Sequence, residues 1–221
     1  MNKLDESMNE LKSVFLSLSA TVEESFRKST DIMLKKEVSK INEIIELDKE
    51  IDRKEIHIEE SCIHILAMHQ PKAKDLRFII AVLKINNDLE RIGDLSMNIA
   101  RSTRRLSEFQ IKKTYSIPTM VKKVLTMFKY ALDSFMTLDS DLAVKVCKLD
   151  DEVDDLKRNQ RKMLKEDLFL EPESADYFFE LLVNARRLER VADLCTNIAE
   201  EVIYISKGEI VRHRSFDESV G

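Results

Sequence analysis

Residues 89–100 read LERIGDLSMNIA, and residues 188–199 read LERVADLCTNIA. A second pair of matching segments precedes them: residues 47–52 read LDKEID, and residues 149–154 read LDDEVD. In each half of the chain, the Asp-x-x-x-Asp segment is followed by a proline and then by the Leu-Glu-Arg segment. Self-similarity in this order indicates an internal duplication, so one structural unit is expected to occur twice.

The composition of the chain favours helices over strands. The 221 residues include only three glycines and three prolines, whereas 35% of them are charged. Strand-rich folds need tight turns, and tight turns need residues that tolerate or pre-set unusual φ angles. We therefore expect an all-α protein rather than a sandwich, a barrel or a doubly wound α/β fold. Because there is no glycine-rich loop, phosphate binding of the P-loop or Rossmann kind is excluded as well.

The spacing of the apolar residues and the positions of the prolines predict six long helices. Pro71 and Pro172 lie where a helix must break, because proline lacks the N–H donor. The predicted helices cover residues 5–35, 38–69, 74–107, 119–138, 141–168 and 174–206. With the duplication, they predict a tandem pair of three-helix bundles joined near Pro118. Three methionines in apolar-periodic stretches are expected to fill the core: Met68, Met127 and Met163.

Charge and cysteine content restrict the class of protein further. The net charge is −5, so the sequence lacks the basic excess of a nucleic-acid-binding protein. The longest uncharged apolar stretch, near residues 78–83, is too short to span a bilayer, and the N-terminus does not resemble a signal peptide. Cys62, Cys147 and Cys195 are odd in number and widely spaced, which argues against disulfides and thiolate zinc sites. We expect a soluble, cytoplasmic protein.

Polar side chains recur at four-residue spacing in the third and sixth predicted helices. They are Glu90, Asp94 and Asn98 in the third helix, and Glu189, Asp193 and Asn197 in the sixth. Residues four apart lie on one face of a helix. The same faces are apolar one or more turns earlier, at Leu76, Ile80, Leu83, Phe179 and Leu182. A partly covered groove that ends in clustered carboxylates is therefore expected in each half.

The second and fifth predicted helices carry the other members of these clusters, Asp48 with Asp52 and Asp150 with Asp154. If each pair faces the Glu/Asp pair of the next helix, four carboxylates converge and raise one another's pKa. A hard or borderline cation, such as Mg, Mn, Ca, Fe or Zn, would relieve this repulsion. The alternative is neutralisation by ion pairs with arginines such as Arg91 and Arg190. The spacing alone leaves both interpretations open.

Gly93 lies inside the first Leu-Glu-Arg segment, and Ala192 takes its place in the second. Glycine in a helix interior costs roughly 1 kcal/mol relative to alanine. A small residue in both copies therefore indicates the close approach of another helix at this point.

The sequence offers no support for catalysis. Di-iron carboxylate bundles use Glu-x-x-His motifs, and none of the four histidines has a glutamate three residues before it: His57, His64, His69 and His213. No local context suggests a nucleophile paired with a base. A non-enzyme is expected. Two alternatives to a metal-binding regulator stay open: a bundle for metal storage or redox chemistry, and a purely structural helical adaptor without metal.

The duplicated segments resemble the PhoU family of phosphate-transport regulators over nearly the whole chain. The resemblance is carried by residues 70–77, 89–94, 188–193, 197–200 and 204–208, and by Arg212-His213. It implies two three-helix PhoU-type bundles, in residues 1–112 and 113–221. In some family members, the acidic motifs bind iron or zinc clusters on the bundle surface.

By that resemblance, the metal ligands of the first half are Asp48, Asp52, Glu90, Asp94 and Asn98. Those of the second half are Asp150, Asp154, Glu189, Asp193 and Asn197. The identity of the metal among Fe, Zn, Mn, Mg and Ca stays open. One position differs in charge, because Arg101 in the first half corresponds to Glu200 in the second. An arginine opposes cations, so we expect metal occupancy to differ between the halves.

The role implied by the resemblance is regulatory. Family members couple a phosphate ABC transporter to a membrane sensor kinase and repress phosphate-starvation genes when phosphate is plentiful. We therefore expect a cytoplasmic, non-catalytic adaptor and negative regulator of phosphate homeostasis. Its expected partners are the transporter ATPase and the kinase, which bring it near the membrane, and a second copy of itself in a homodimer. No nucleic acid is expected.

Overall fold

Six long helices account for most of the protein in the computed structural model, which describes residues 3–110 and 113–207. They are α1 (Lys3–Lys35), α2 (Ile41–His69), α3 (Ala73–Ser107), α4 (Ile117–Thr137), α5 (Ser140–Leu170) and α6 (Ala175–Lys207). Short 3₁₀ turns precede α2 and α6, at Val38–Lys40 and Pro172–Ser174. The described residues contain no strand, so the predicted all-α fold is confirmed. The predicted motif Arg212-His213 lies outside the described residues.

The helix ends follow from local chemistry. The side chain of Asp139 caps α5, because its carboxylate accepts hydrogen bonds from the backbone N–H groups of Asp141 and Leu142 at 2.9 and 3.0 Å. Pro118 lies in the first turn of α4, where a proline needs no N–H donor. This helix therefore begins two residues earlier than predicted. The predicted helix 38–69 is divided, since its first three residues form a 3₁₀ turn.

Two three-helix bundles, α1–α3 and α4–α6, pack side by side through α3 and α6. Lys84 of α3 contacts Glu201 of α6 at 2.9 Å, whereas Arg105, further along α3, contacts Glu180, earlier in α6. The two central helices therefore run antiparallel. Most buried apolar residues of both bundles form one continuous core, and a smaller cluster in the first bundle is separate from it: Ile32, Ile41, Ile44, Met97 and Ala100. The two halves are thus packed against each other through their central helices.

The join between the predicted domains lies beside residues 111–112, which are outside the described part of the chain. The domain boundary between residues 112 and 113 therefore stays a prediction. Among the described helices, none contains an apolar stretch of the length that spans a bilayer.

The prediction that three methionines fill the core is confirmed for one of them and wrong for the other two. Met127 is fully buried, but Met68 and Met163 are 66% and 42% exposed. Ile65 and Leu164, close to them in sequence, take the inward positions instead. Apolar periodicity identifies a stretch that packs, but it does not decide which of two neighbouring apolar side chains points inward.

The close helix approach predicted at Gly93 is confirmed. A Cβ atom added at Gly93 would lie 3.1 Å from Cδ1 and 3.3 Å from Cγ2 of Ile51. The absence of a side chain at Gly93 therefore lets α3 approach α2 closely. Because Asp94 follows Gly93 and Asp52 follows Ile51, this crossing lies beside the predicted acidic cluster.

Candidate metal sites

The first acidic site lies where α2 crosses α3. Asp48 and Asp52 come from α2, and Glu90 and Asp94 come from α3. Burial raises the pKa of Asp48, with further contributions from the negative charges of Asp52 and Asp94. Burial also raises the pKa of Glu90, and Asp94 and Asp52 add to it. The two helices therefore bring all four predicted carboxylates close enough to repel one another.

A fifth carboxylate, that of Glu55, lies in this site and is absent from the predicted set. Its pKa is raised by burial and by the charges of Glu59 and Asp52. The buried side-chain amide of Asn86 on α3 donates to the backbone carbonyl of Glu55 at 3.0 Å and to its Oε1 at 3.3 Å. Glu55 follows Asp52 by three residues, so it lies on the same side of the helix. That spacing was the signal in the sequence that could have identified it.

The second acidic site lies between α5 and α6. Burial and the charges of Asp193 and Asp154 raise the pKa of Asp150 to about 7. Burial also raises the pKa of Asp193, together with the charges of Glu189 and Asp154. As in the first half, the four predicted carboxylates are brought together. Burial is the largest cause of the raised pKa at Asp150, and the neighbouring carboxylates add to it.

A lysine occupies one end of the second site. Lys157 Nζ lies 2.5 Å from Glu189 Oε1 and 3.8 Å from Asp154 Oδ1, so it pairs with predicted ligands from both helices. Counting from the matched aspartates Asp48 and Asp150, Lys157 corresponds to Glu55 of the first half. The sequence contained this difference, but matching of the duplicated motifs alone did not reveal it.

A polar cleft of about 310 Å³ connects the two sites. It lies between α3 and α6 and is lined by Arg91, Asp94, Leu95, Asn98, Arg190, Asp193 and Leu194. The predicted ligand Asn98 therefore borders the cleft beside Asp94. The predicted ligand Asn197 is exposed and is not part of the cleft lining. Within the cleft, Arg91 lowers the pKa of Glu90 and Arg190 lowers that of Asp193, but burial and the neighbouring carboxylates outweigh both.

The clusters fit a cation in their charge and ligand type, because carboxylate oxygens suit hard and borderline metal ions. However, within residues 3–110 and 113–207, no three His, Cys, Asp or Glu side chains are placed to hold one metal ion together. Direct binding would therefore require side-chain rotation, water ligands or sharing of several ions among open carboxylates. The ten predicted ligands stay a prediction.

The environment of the three cysteines indicates a structural role. All three are buried and unpaired. Burial raises the pKa of Cys62 and of Cys147 to about 12, and it raises that of Cys195 as well. They are therefore protonated at neutral pH and have little thiolate character.

The fold and these sites define the class of protein: a tandem pair of three-helix bundles that carries one acidic surface site in each half. The family model described as "PhoU domain" matches the chain twice, over residues 15–103 and 117–202. Each match contains one acidic site. The chain belongs to the PhoU family.

The chain is similar to other proteins over most of their length. The chain is 37% identical over 217 residues to "Phosphate-specific transport system accessory protein PhoU homolog" of Aquifex aeolicus, covering 98% of both chains. It is 36% identical over 201 residues to "Phosphate-specific transport system accessory protein PhoU homolog 1" of Thermotoga maritima, covering 90% of this chain and 87% of that relative. Solved structures are similar too. The crystal structure of PhoU from Pseudomonas aeruginosa superposes with a TM-score of 0.90 at 31% identity, over 94% of this chain and 100% of the other.

Proposed function

We propose that this protein regulates phosphate uptake and phosphate-starvation signalling. The observation that carries the proposal is the match, over nearly the whole of both chains, to relatives named as accessory proteins of the phosphate-specific transport system. The match includes both bundles and both acidic sites. In this role the protein represses phosphate-starvation genes when phosphate is plentiful.

The protein acts, in this proposal, as a cytoplasmic adaptor without catalysis of its own. It links the ATPase of a phosphate ABC transporter to a membrane sensor kinase, and it works as a homodimer. The two bundles, residues 1–112 and 113–221, give it two faces for these contacts. The faces are similar in fold and differ in their charged residues. A rigid all-α scaffold with broad exposed helix faces is suited to binding other proteins.

Metal ions belong to the same proposal. In the first half they would be held by Asp48, Asp52, Glu90, Asp94 and Asn98. In the second half they would be held by Asp150, Asp154, Glu189, Asp193 and Asn197. A bound ion would neutralise carboxylates that otherwise repel one another, and so would tighten the contact between neighbouring helices. Half-exposed oxygen ligands discriminate poorly among divalent ions, so occupancy is expected to vary.

A purely structural adaptor without metal is the second candidate, and one observation favours it. Lys157 pairs with Glu189 and Asp154, so in the second site an ammonium group supplies positive charge that a metal ion would otherwise supply. Elemental analysis of protein purified without added metal or chelator separates the two candidates. Bound Fe, Zn or Mn supports the metal-binding regulator. Absence of metal, with no thermal shift on adding these ions, supports the structural adaptor.

The regulatory role is tested in cells that lack the chromosomal gene and carry a phosphate-starvation promoter fused to a reporter. Wild-type protein supplied in trans is expected to repress the reporter in high phosphate. The variant Glu90→Ala with Asp94→Ala is expected to lose most of this repression. A matched control is Glu6→Ala with Glu10→Ala, which removes two exposed carboxylates at the same spacing on α1.

Equal reporter activity with and without the gene, in high and low phosphate, would contradict the regulatory role. Full repression by a well-folded Glu90→Ala, Asp94→Ala protein would leave regulation in place but separate it from the first acidic site. Circular dichroism and a urea unfolding curve establish that the variant is folded.

A further inference from the structure

A groove with an apolar floor opens on the second bundle, away from the acidic sites. It lies between α5 and α6 and has a volume of about 410 Å³. Leu164, Leu168, Phe178 and Leu182 line it, and Phe179 beside them is 63% exposed. A large aromatic side chain with this exposure leaves apolar surface in contact with water, which favours an interaction site.

The rim of the groove is charged. Arg161 and Lys165 lie one turn apart on the α5 side, and Asp176 lies on the α6 side. Within residues 3–110 and 113–207, none of these three forms an ion pair. The two cations on one wall are therefore available to acidic groups of a partner.

The corresponding positions of the first bundle carry different charges. Glu59 and Ile63 of α2 take the places of Arg161 and Lys165, as counting from the matched aspartates shows. Arg77 of α3 takes the place of Asp176 on the other wall. The two halves therefore have opposite charges at two of these three positions, and Lys165 has an uncharged counterpart.

The outer face of α2 has the properties of a helix that binds in a groove. Ile56 and Ile63 are 54% and 56% exposed, although isoleucine is among the residues most often buried. They lie seven residues apart on one stripe of the helix, and the exposed acids Glu59 and Glu60 lie between them. Recognition of a helix in a groove typically uses apolar anchors at this spacing. On α5 the equivalent positions are Arg158 and Lys165, so α5 lacks this stripe.

We propose that two copies of this chain associate by placing the outer face of α2 from one copy in the α5–α6 groove of the other. The proposal rests on the homodimer of the proposed function and identifies its surface. The acids Glu59 and Glu60 then face Arg161 and Lys165. The exposed isoleucines of the same stripe contact the apolar groove around Phe179.

Symmetry supports a second copy as the occupant. Each chain carries one α2 face and one α5–α6 groove, so a twofold axis makes the same contact twice. A stable dimer buries roughly 1,200–2,000 Å² in total, which is more than one helix face in one short groove supplies. Two equivalent contacts bring the buried area toward that range.

Sedimentation equilibrium of the purified full chain between 1 and 100 µM tests the proposal, and is expected to give the mass of a dimer. Phe179→Asp is expected to weaken association by about 30-fold or more, because it places a charge at the centre of an apolar contact. Leu16→Asp is the matched control, since Leu16 is 46% exposed on α1 and lies outside the contact. It is expected to leave the dissociation constant unchanged.

Charge reversal gives the sharper test. Arg161→Glu and Glu59→Arg, made singly, are each expected to weaken association about 10-fold. A chain with both changes is expected to return to within about threefold of the wild type, because the opposite charges again face each other. Arg186→Glu, at an exposed position of α6 outside the groove, serves as the control.

Each contrary outcome has a separate meaning. A monomer at 100 µM overturns both the homodimer and this surface. A dimer that is unaffected by Phe179→Asp and Arg161→Glu overturns the surface alone. Neither result bears on phosphate-dependent repression in cells, which is measured independently. Because the substituted side chains are exposed, circular dichroism is expected to show a folded protein for every variant.

Discussion

The two acidic sites contain the same matched carboxylates but differ in where a base lies beside them. In the first half, Glu55 adds a carboxylate and Arg101 supplies the base. In the second half, Lys157 supplies the base at the position of Glu55, and Glu200 takes the sequence position of Arg101. The duplication has thus preserved the number of charges and exchanged their places.

This exchange matters because, in the described part of the chain, only one of the two basic side chains forms an ion pair with a carboxylate of its site. Lys157 pairs directly with Glu189, at 2.5 Å. Arg101 lowers the pKa of Asp48, but within residues 3–110 and 113–207 no basic side chain forms an ion pair with Asp48, Asp52 or Asp94. The second site therefore has an internal cation, whereas the first site has open carboxylates. We infer that metal ions bind more tightly to the first site.

Exchanging the residues at positions 55 and 157 is expected to have the largest effect on the free energy of unfolding. Lys157→Glu removes the ion pair and adds a carboxylate to a partly buried cluster. In metal-free protein at pH 7, it is expected to lower the free energy of unfolding by about 2 kcal/mol, between the values of exposed and buried pairs. Adding Mn²⁺ is expected to restore much of this loss. Urea unfolding curves with and without the ion measure both effects.

The reciprocal change, Glu55→Lys, is expected to act in the opposite direction. It places an ammonium group beside Asp52 and Glu90, so metal-free stability rises slightly and Mn²⁺ stabilises the protein less than it does the wild type. Lys129→Glu, at an exposed position of α4, is the control for a change of surface charge. Equal losses for Lys129→Glu and Lys157→Glu would show that the ion pair at the second site has no special role.

The pH dependence of stability is the next largest effect. The pKa of Asp150 is raised to about 7 from an ordinary value of 3.8, so the folded protein holds this proton more tightly than the unfolded chain does. Protonated Asp150 therefore contributes to the free energy of unfolding. This contribution is complete below pH 3.8 and is lost as pH rises to about 7. Since Asp150 is only half-buried, we expect about 1–2 kcal/mol after solvent screening.

The change Asp150→Asn tests this in metal-free protein. Relative to the wild type, the variant is expected to gain stability between pH 4 and about pH 7 and to keep that gain at pH 8, because it has no proton to lose. Asp48→Asn is expected to show a smaller gain in the same urea unfolding series. Parallel pH curves for Asp150→Asn and wild type would contradict the raised pKa of Asp150.

The smallest effect concerns Gly93 and Ala192. Ala192→Gly is expected to cost about 1 kcal/mol of unfolding free energy, the usual penalty of glycine in a helix interior. Gly93→Ala recovers less than this amount, because its Cβ would lie 3.1 Å from Cδ1 of Ile51 and the isoleucine must shift. Chemical denaturation of both variants gives the comparison. A full gain of about 1 kcal/mol for Gly93→Ala would show that α2 and α3 are not tightly apposed there.

Most of the fold could be predicted from the sequence, because helix periodicity and the breaks at Pro71 and Pro172 are local properties. The duplicated motifs added the pairing of helices into two bundles. The close approach at Gly93 was also predictable, since a glycine in a helix interior has a cost that packing must offset. The inward or outward direction of Met68 was not, because it depends on how neighbouring side chains fill the core.

The candidate site could be predicted only in part. Matching of motifs identified the carboxylates of both halves, and the structure brings Asp48 together with Asp94 and Asp150 together with Asp193. The contact of Lys157 with Glu189 joins two helices and so could not be read from either helix alone. Glu55 was missed because it follows the motif by three residues and does not repeat in the second half.

The inference that the two sites differ in metal binding is tested most directly by calorimetric titration with Mn²⁺. The titration compares wild-type protein with two double variants. The first-half variant carries Asp48→Asn and Asp94→Asn, and the second-half variant carries Asp150→Asn and Asp193→Asn. The first-half variant is expected to lose the tighter class of binding, with at least about 10-fold lower affinity, and the second-half variant is expected to retain it. Tighter binding that disappears only in the second-half variant, or no Mn²⁺ binding by the wild type, would contradict the inference.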